Sequence, residues 1–111
     1  MFIAWEAKIK EEATMKFVEW WRNKENVKSW TESVTEGMKF IGIFFTVNQT
    51  ADHDCEIWYE MDNWGVLDKD RENKKLAELN KKMYQEMGNP FESARIKVFR
   101  TPDDVKHTFL E

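Results

Sequence analysis

Residues 38–47, MKFIGIFFTV, constrain this chain more than any other segment. Read as a strand, they place Ile41, Ile43, Phe45 and Val47 on one face and Met38, Phe40 and Phe44 on the other. A strand that is apolar on both faces is normally covered on both faces. The rest of the chain must therefore supply one covering layer, and the second cover must be found elsewhere.

The flanking segments supply the first layer. Residues 2–9, FIAWEAKI, alternate with Ile3, Trp5, Ala7 and Ile9 on one side, which predicts a first strand. Residues 11–34 are rich in helix formers, and Phe17, Trp20, Trp21, Val27 and Trp30 fall near one helical face. The polar stretch 23–26 marks a point of interruption, and Gly37 is a stop signal. Turn residues at 48–54 precede CEIWYEM at 55–61, a third strand that pairs with the second as a hairpin. Asp62 or Asn63 is expected to cap a short turn at 64–67, and Asp68 or Asp70 to cap the long helix that ends at Gly88. Residues 93–100 give a last strand, and Thr101-Pro102 predicts a short terminal helix.

The 111 residues fit one domain, 1–111, with enough chain to bury one core. Its order β-α-β-β-α-β predicts an α+β, ferredoxin-like sandwich: a four-stranded antiparallel sheet with two helices on one face. The helix-covered face is then Ile3, Trp5, Ala7, Ile9, Ile41, Ile43, Phe45, Ile57, Tyr59, Ile96 and Val98. The other face carries Phe2, Ala4, Phe40, Gly42, Phe44, Trp58 and Phe99 around the charged set Glu6, Glu56, Glu60, Arg95 and Lys97. Such an aromatic patch on a bare sheet is rare in monomers, so a homodimer paired through this face is expected.

Here the sequence resembles the dimeric α+β barrel superfamily. The resemblance spans 2–100 and rests on the element order, the two-sided second strand and IWYEMDNWGVL at 57–67, which runs from strand three into an aromatic turn. It implies a site between sheet and helices or inside the dimeric barrel. The chemistry it implies ranges over cofactor-independent monooxygenases, haem-degrading enzymes, lactone isomerases and members without known activity. No histidine stands in 70–88 or in strand one, so the histidine-dependent activities do not carry over.

Two functions follow. In one, an apolar or aromatic small molecule binds in the dimeric barrel, possible chemistry being cofactor-independent oxygenation or isomerisation. Phe40, Phe44, Trp58 and Trp64 are then the ligand-binding candidates, and Glu6, Glu60 and Arg95 the catalytic ones, desolvation raising a carboxylate into the general-acid range. In the other, the aromatic face serves self-association alone, as a non-enzymatic module, and the charges form a cross-strand ladder.

Other classes are excluded more firmly. Acids exceed bases by 21 to 17, which argues against a phosphate-tracking surface, and strand three lacks the basic Gly-aromatic motif of RNA-recognition domains. Phosphate loops, Gly-rich dinucleotide turns and nucleophile elbows are absent. The single Cys55 rules out an internal disulfide and a four-cysteine zinc site. His53 and Cys55 would need His107 or acids to complete a metal site, so no metal and no cofactor are expected. Without a signal-peptide pattern or a membrane-length apolar run, a cytoplasmic location is expected and no membrane partner.

Overall fold

The computed structural model describes residues 1–47 and 53–99. The expected terminal helix at 101, His107 and most of the 48–54 turn lie outside the described residues. Four strands form one antiparallel sheet: β1 (Phe2–Ile9), β2 (Met38–Phe45), β3 (Cys55–Met61) and β4 (Phe91–Phe99). Their spatial order is β2-β3-β1-β4, with β1 and β3 central. This is the ferredoxin-like sandwich that the order of elements predicts.

The helical layer is more divided than two helices. A 3-10 turn (Glu11–Ala13) leads into α1 (Thr14–Arg22), which stops at Asn23. There the backbone turns extended, and the Asn23 side chain accepts from the Glu25 amide at 3.0 Å to start α2 (Lys24–Ser33). The interruption expected at 23–26 is thus a cap. The short α3 (Gly65–Arg71) begins where Asn63 Oδ1 accepts from the Gly65 amide, and α4 (Lys74–Met87) follows. Neither Asp68 nor Asp70 caps α4. Both are absorbed into α3, and Asn73 takes the role, its Oδ1 accepting from the Leu76 amide at 3.1 Å.

Between α2 and β2 the chain turns at Gly37, where φ is +91° and an added Cβ would stand 2.9 Å from Val66 Cγ2. Only glycine fits there. The Gly37 carbonyl accepts from Asp62 N–H, so this turn docks α3 onto the end of the hairpin.

The core lies between sheet and helices. Ile3, Ala7, Ile9, Cys55, Ile57 and Tyr59 face Phe17, Trp20, Trp21, Trp30, Val66 and Met83. Phe17 is fully buried and meets Phe45, Phe91 and Trp21 edge-on. Each such aromatic pair adds about 0.5–1.5 kcal/mol beyond its buried area. Cys55 belongs to this core, and burial pushes its thiol pKa up to about 12, which leaves it inert as a nucleophile. Trp21 Nε1 is buried without an acceptor among the described residues, an uncompensated cost of about 1–3 kcal/mol.

Register corrects the expected faces at one place. Phe40 pairs with Tyr59 and Gly42 with Trp58, so Ile41 is an extra residue, a β-bulge. The bulge moves Phe40 to the helix side, where it stacks on Trp21 at 6.0 Å and meets Tyr59 at 5.9 Å. Met38 follows it, and Ile41 drops out of the expected helix-facing set. A strict period of two cannot survive an inserted residue, and Gly42 beside the bulge is its sequence mark.

Candidate functional site

On the face without helices the side chains form three cross-strand rows. Phe44, Glu56, Glu6 and Arg95 make the first, Gly42, Trp58, Ala4 and Lys97 the second, and Lys39, Glu60, Phe2 and Phe99 the third. The rings contact one another along the sheet: Phe44 with Trp58 at 6.1 Å, Trp58 with Phe99 at 5.1 Å, Phe99 with Phe2 at 6.0 Å. This packing leaves the patch less open than the sequence suggests. Phe2 is buried and Trp58 and Phe99 are half-buried, whereas Phe44 keeps 51% of its surface.

Glu6, in the centre, is only 1% exposed. Its Oε2 accepts from Arg95 Nε at 2.7 Å, and Lys97 Nζ stands 3.1 Å from Oε1 without hydrogen-bond alignment. His53 closes the cluster, with Nδ1 3.5 Å from Glu6 Oε2 and Nε2 3.2 Å from Glu56 Oε2. Its position follows from its neighbour. Asp54 is tied to β1 on both sides, through Ile9 N–H to its carboxylate at 2.6 Å and through its own N–H to the Ala7 carbonyl at 2.9 Å.

The Arg95 hydrogen bond, joined by Lys97, holds the Glu6 carboxyl below its ordinary value against the opposing effect of desolvation. The expected raised carboxylate is therefore reversed: Glu6 is a fixed anion and a poor proton carrier at neutral pH. The side chains of Arg95 and Lys97 are themselves more than half exposed, so these two ion pairs are partly screened by solvent. Glu60 does not join this cluster; it sits two rows away beside Phe2.

Glu6, His53 and Glu56 could each offer one ligand atom, all within 4.8 Å of one another. A divalent cation there would lie beside the positive charges of Arg95 and Lys97, which already engage Glu6. The donor set suits an internal ion-pair cluster better than a metal.

A more enclosed space lies on the other side of the sheet. A cavity of about 330 Å³ lies between sheet and helices, walled by Trp5, Trp21, Trp30, Tyr59, Tyr84 and Phe91 among its lining residues. It is at the lower end of the roughly 300–1,000 Å³ usual for small-molecule sites. Its most open lining residues are Ile96 on edge strand β4, which keeps 60% of its surface, and Tyr84 on α4, which keeps 39%. Besides the indoles, four side chains with polar atoms line it: Tyr59, Tyr84, Asp70 and Asn80. Trp30 Nε1 donates to Tyr59 Oη at 3.0 Å, which leaves the Tyr59 hydroxyl hydrogen for another acceptor. Burial raises the Tyr59 pKa, so it stays a neutral donor.

Asp70 is held by a directed chain. Asn73 Nδ2 donates to Thr35 Oγ1 at 2.9 Å, and Thr35 Oγ1 spends its one hydrogen on Asp70 Oδ1 at 2.6 Å. Among the described residues no basic side chain pairs with Asp70. In the sequence it reads as one of several helix-cap acids, and nothing local distinguishes it.

Of the ligand-binding candidates, Phe44 and Trp58 do come together on the open face, with Glu6 and Arg95 in the same cross-strand row as Phe44. Phe40 lies behind the wall of the helix-side cavity, and Trp64, 59% exposed, sits at the start of α3 apart from both groups.

The architecture is the ferredoxin-like one on which dimeric α+β barrel proteins are built. Solved structures share it across nearly the whole chain. A protein from Agrobacterium tumefaciens superposes with a TM-score of 0.67 at 13% identity, over 94% of this chain and 96% of the other. An uncharacterised NIPSNAP domain protein from Burkholderia xenovorans gives 0.66 at 11%, over 96% and 100%. A dimeric protein of unknown function with a ferredoxin-like fold, from Bacteroides fragilis, gives 0.51 at 13%, over 86% and 90%. No family model and no curated protein matches the sequence. At these identities the likeness is one of fold. Among the described residues no helix is long and apolar enough to cross a membrane.

Proposed function

We propose that the protein is a homodimer that binds an apolar or aromatic small molecule in the cavity between its helices and its sheet. The observation that carries this is the cavity itself: ring-walled, about 330 Å³, with Tyr59, Tyr84, Asp70 and Asn80 among its lining. Support for the dimer comes from the half-exposed Phe44 on the opposite face and from the dimeric state of the Bacteroides fragilis protein of like fold. Isomerase or cofactor-independent oxygenase chemistry would need a proton donor and acceptor at the ligand, and Tyr59, Tyr84 and Asp70 are the titratable groups the cavity offers. A purely self-associating module has less support, because it gives no reason for a cavity on the far side of the sheet. A cytoplasmic location belongs to the same proposal, in keeping with the single buried thiol of Cys55.

A second reading places the ligand between two paired sheets. It rests on a hollow of about 270 Å³ lined by Glu6, Lys8, His53, Ser93, Ala94 and Arg95, on the sheet whose helix-free face also carries Phe44 and Trp58. One titration separates the two. Saturable quenching of tryptophan fluorescence by 1-naphthol should survive Trp58→Ala and be lost in Ile96→Trp, which adds bulk at the cavity's most open lining residue. The reverse pattern would transfer the site to the barrel, and no saturable binding would refute both. Sedimentation velocity at micromolar concentration should give twice the chain mass; a monomer would overturn the dimer.

A further inference from the structure

The cavity holds one charged side chain, and that charge is set up with more care than a helix acid needs. Asp70 receives the Thr35 hydroxyl at 2.6 Å, Thr35 is itself oriented by Asn73, and Asn73 is fixed at both ends. Its Nδ2 also donates to the Ser33 carbonyl at 2.7 Å, and its Oδ1 accepts from the Leu76 amide. One carboxylate oxygen is thus occupied, and the other has no partner among the described residues. The surrounding walls are ring faces and edges from Trp5, Trp21, Trp30, Tyr59 and Tyr84, and no Lys or Arg lines the space.

We propose that this cavity selects an organic cation, a compound bearing an amine or a quaternary ammonium group on an apolar body. The proposal rests on the cavity being a ligand site and adds the charge of what enters it. Aromatic faces attract a cation through their quadrupoles, and the attraction grows when water is excluded. A preoriented carboxylate at the same place supplies the counter-charge. A neutral hydrocarbon would fill the same volume and leave the free Asp70 oxygen desolvated and unpaired, which is unfavourable. An anionic ligand would meet Asp70 directly.

The test uses three probes of similar shape: benzyltrimethylammonium, its uncharged carbon isostere neopentylbenzene, and phenylacetate. Binding to the full chain is followed by NMR shift perturbation at residues lining the cavity. The cation should bind at least about tenfold more tightly than the isostere, and phenylacetate should not bind. Asp70→Asn keeps an acceptor for Thr35, so circular dichroism should be unchanged while the cation falls to the isostere's affinity. Tyr84→Leu, at the rim, should weaken the cation more than the isostere, and it carries the test if Asp70→Asn proves unfolded. Equal affinity for cation and isostere, or a preference that survives Asp70→Asn, overturns the inference and leaves the cavity as a neutral ligand site. Binding by none of the probes, nor by 1-naphthol, overturns the inference together with the proposed function.

Discussion

On the helix-covered face, Trp21, Trp30 and Phe17 meet rings from other elements, and Trp30 ties its indole to Tyr59 across the layer. On the opposite face, Phe44, Trp58, Phe99 and Phe2 form a chain of contacts along the sheet, with Glu6 and its cationic neighbours beside them. Both faces are aromatic, yet one closes around a cavity and the other leaves Phe44 half in water. The difference shows that aromatic content alone does not say where a pocket lies. A pocket forms where rings come from two layers held apart, and rings on one sheet merely lean on one another.

The contrast can be broken most directly at Phe17. Phe17→Ala should cost about 3–5 kcal/mol, because a fully buried ring at the junction of α1, β2 and β4 leaves a cavity that its neighbours fill only in part. A lowered urea midpoint measures it, and a loss below about 1 kcal/mol would mean that the covered face is not the stabilising one.

A smaller effect is expected at Glu6. Its carboxyl titrates lower in the folded chain than its ordinary 4.5, so its contribution is present above that value and is lost as pH falls through the lowered folded value. Glu6→Gln should cost about 1 kcal/mol at pH 7, given the solvent-screened ends of Arg95 and Lys97. The variant should also have a shallower fall in stability below about pH 4.5 than the parent. Thermal melts between pH 3 and pH 7 read both, and parallel curves for parent and variant would refute the ion-cluster account.

The smallest stability change is predicted for Phe44→Ser, within about 0.5 kcal/mol by urea unfolding of the monomer. Self-association through the proposed dimer face should nonetheless weaken by about tenfold or more in sedimentation equilibrium, since a half-exposed aromatic on such a face contributes more to binding than to folding. A destabilisation as large as that of Phe17→Ala would erase the distinction between the faces.

Much of this layout is legible in the chain. The alternation of FIAWEAKI and CEIWYEM places β1 and β3 with correct faces, and the polar interruption at Asn23 marks the break between α1 and α2. A period-two reading puts Phe40 on the wrong face because it has no room for an extra residue, although Gly42 within an apolar strand is a recognised mark of a bulge. The cluster around Glu6 was partly visible as a set of same-face charges on neighbouring strands. That His53 would fold over it depends on Asp54 binding β1 from 45 residues away, a contact without local signature. Asp70 was invisible as a site residue for the same reason: its significance comes from Thr35 and Asn73, which reach it only when α2, α3 and α4 are assembled.

The bulge at Ile41 has a consequence beyond the placing of Phe40. β2 is an edge of the sheet, and it is also the most apolar stretch of the chain, the combination that invites a foreign strand to add alongside and start a fibril. An intruding strand would have to match a ladder whose spacing changes between Phe40 and Gly42, and it would meet the exposed Lys39 just before that break. The irregularity that spoils a simple reading of the sequence thereby gives a sticky segment an edge that is difficult to extend, which makes straightening β2 the most direct way to turn this protein into an aggregating one.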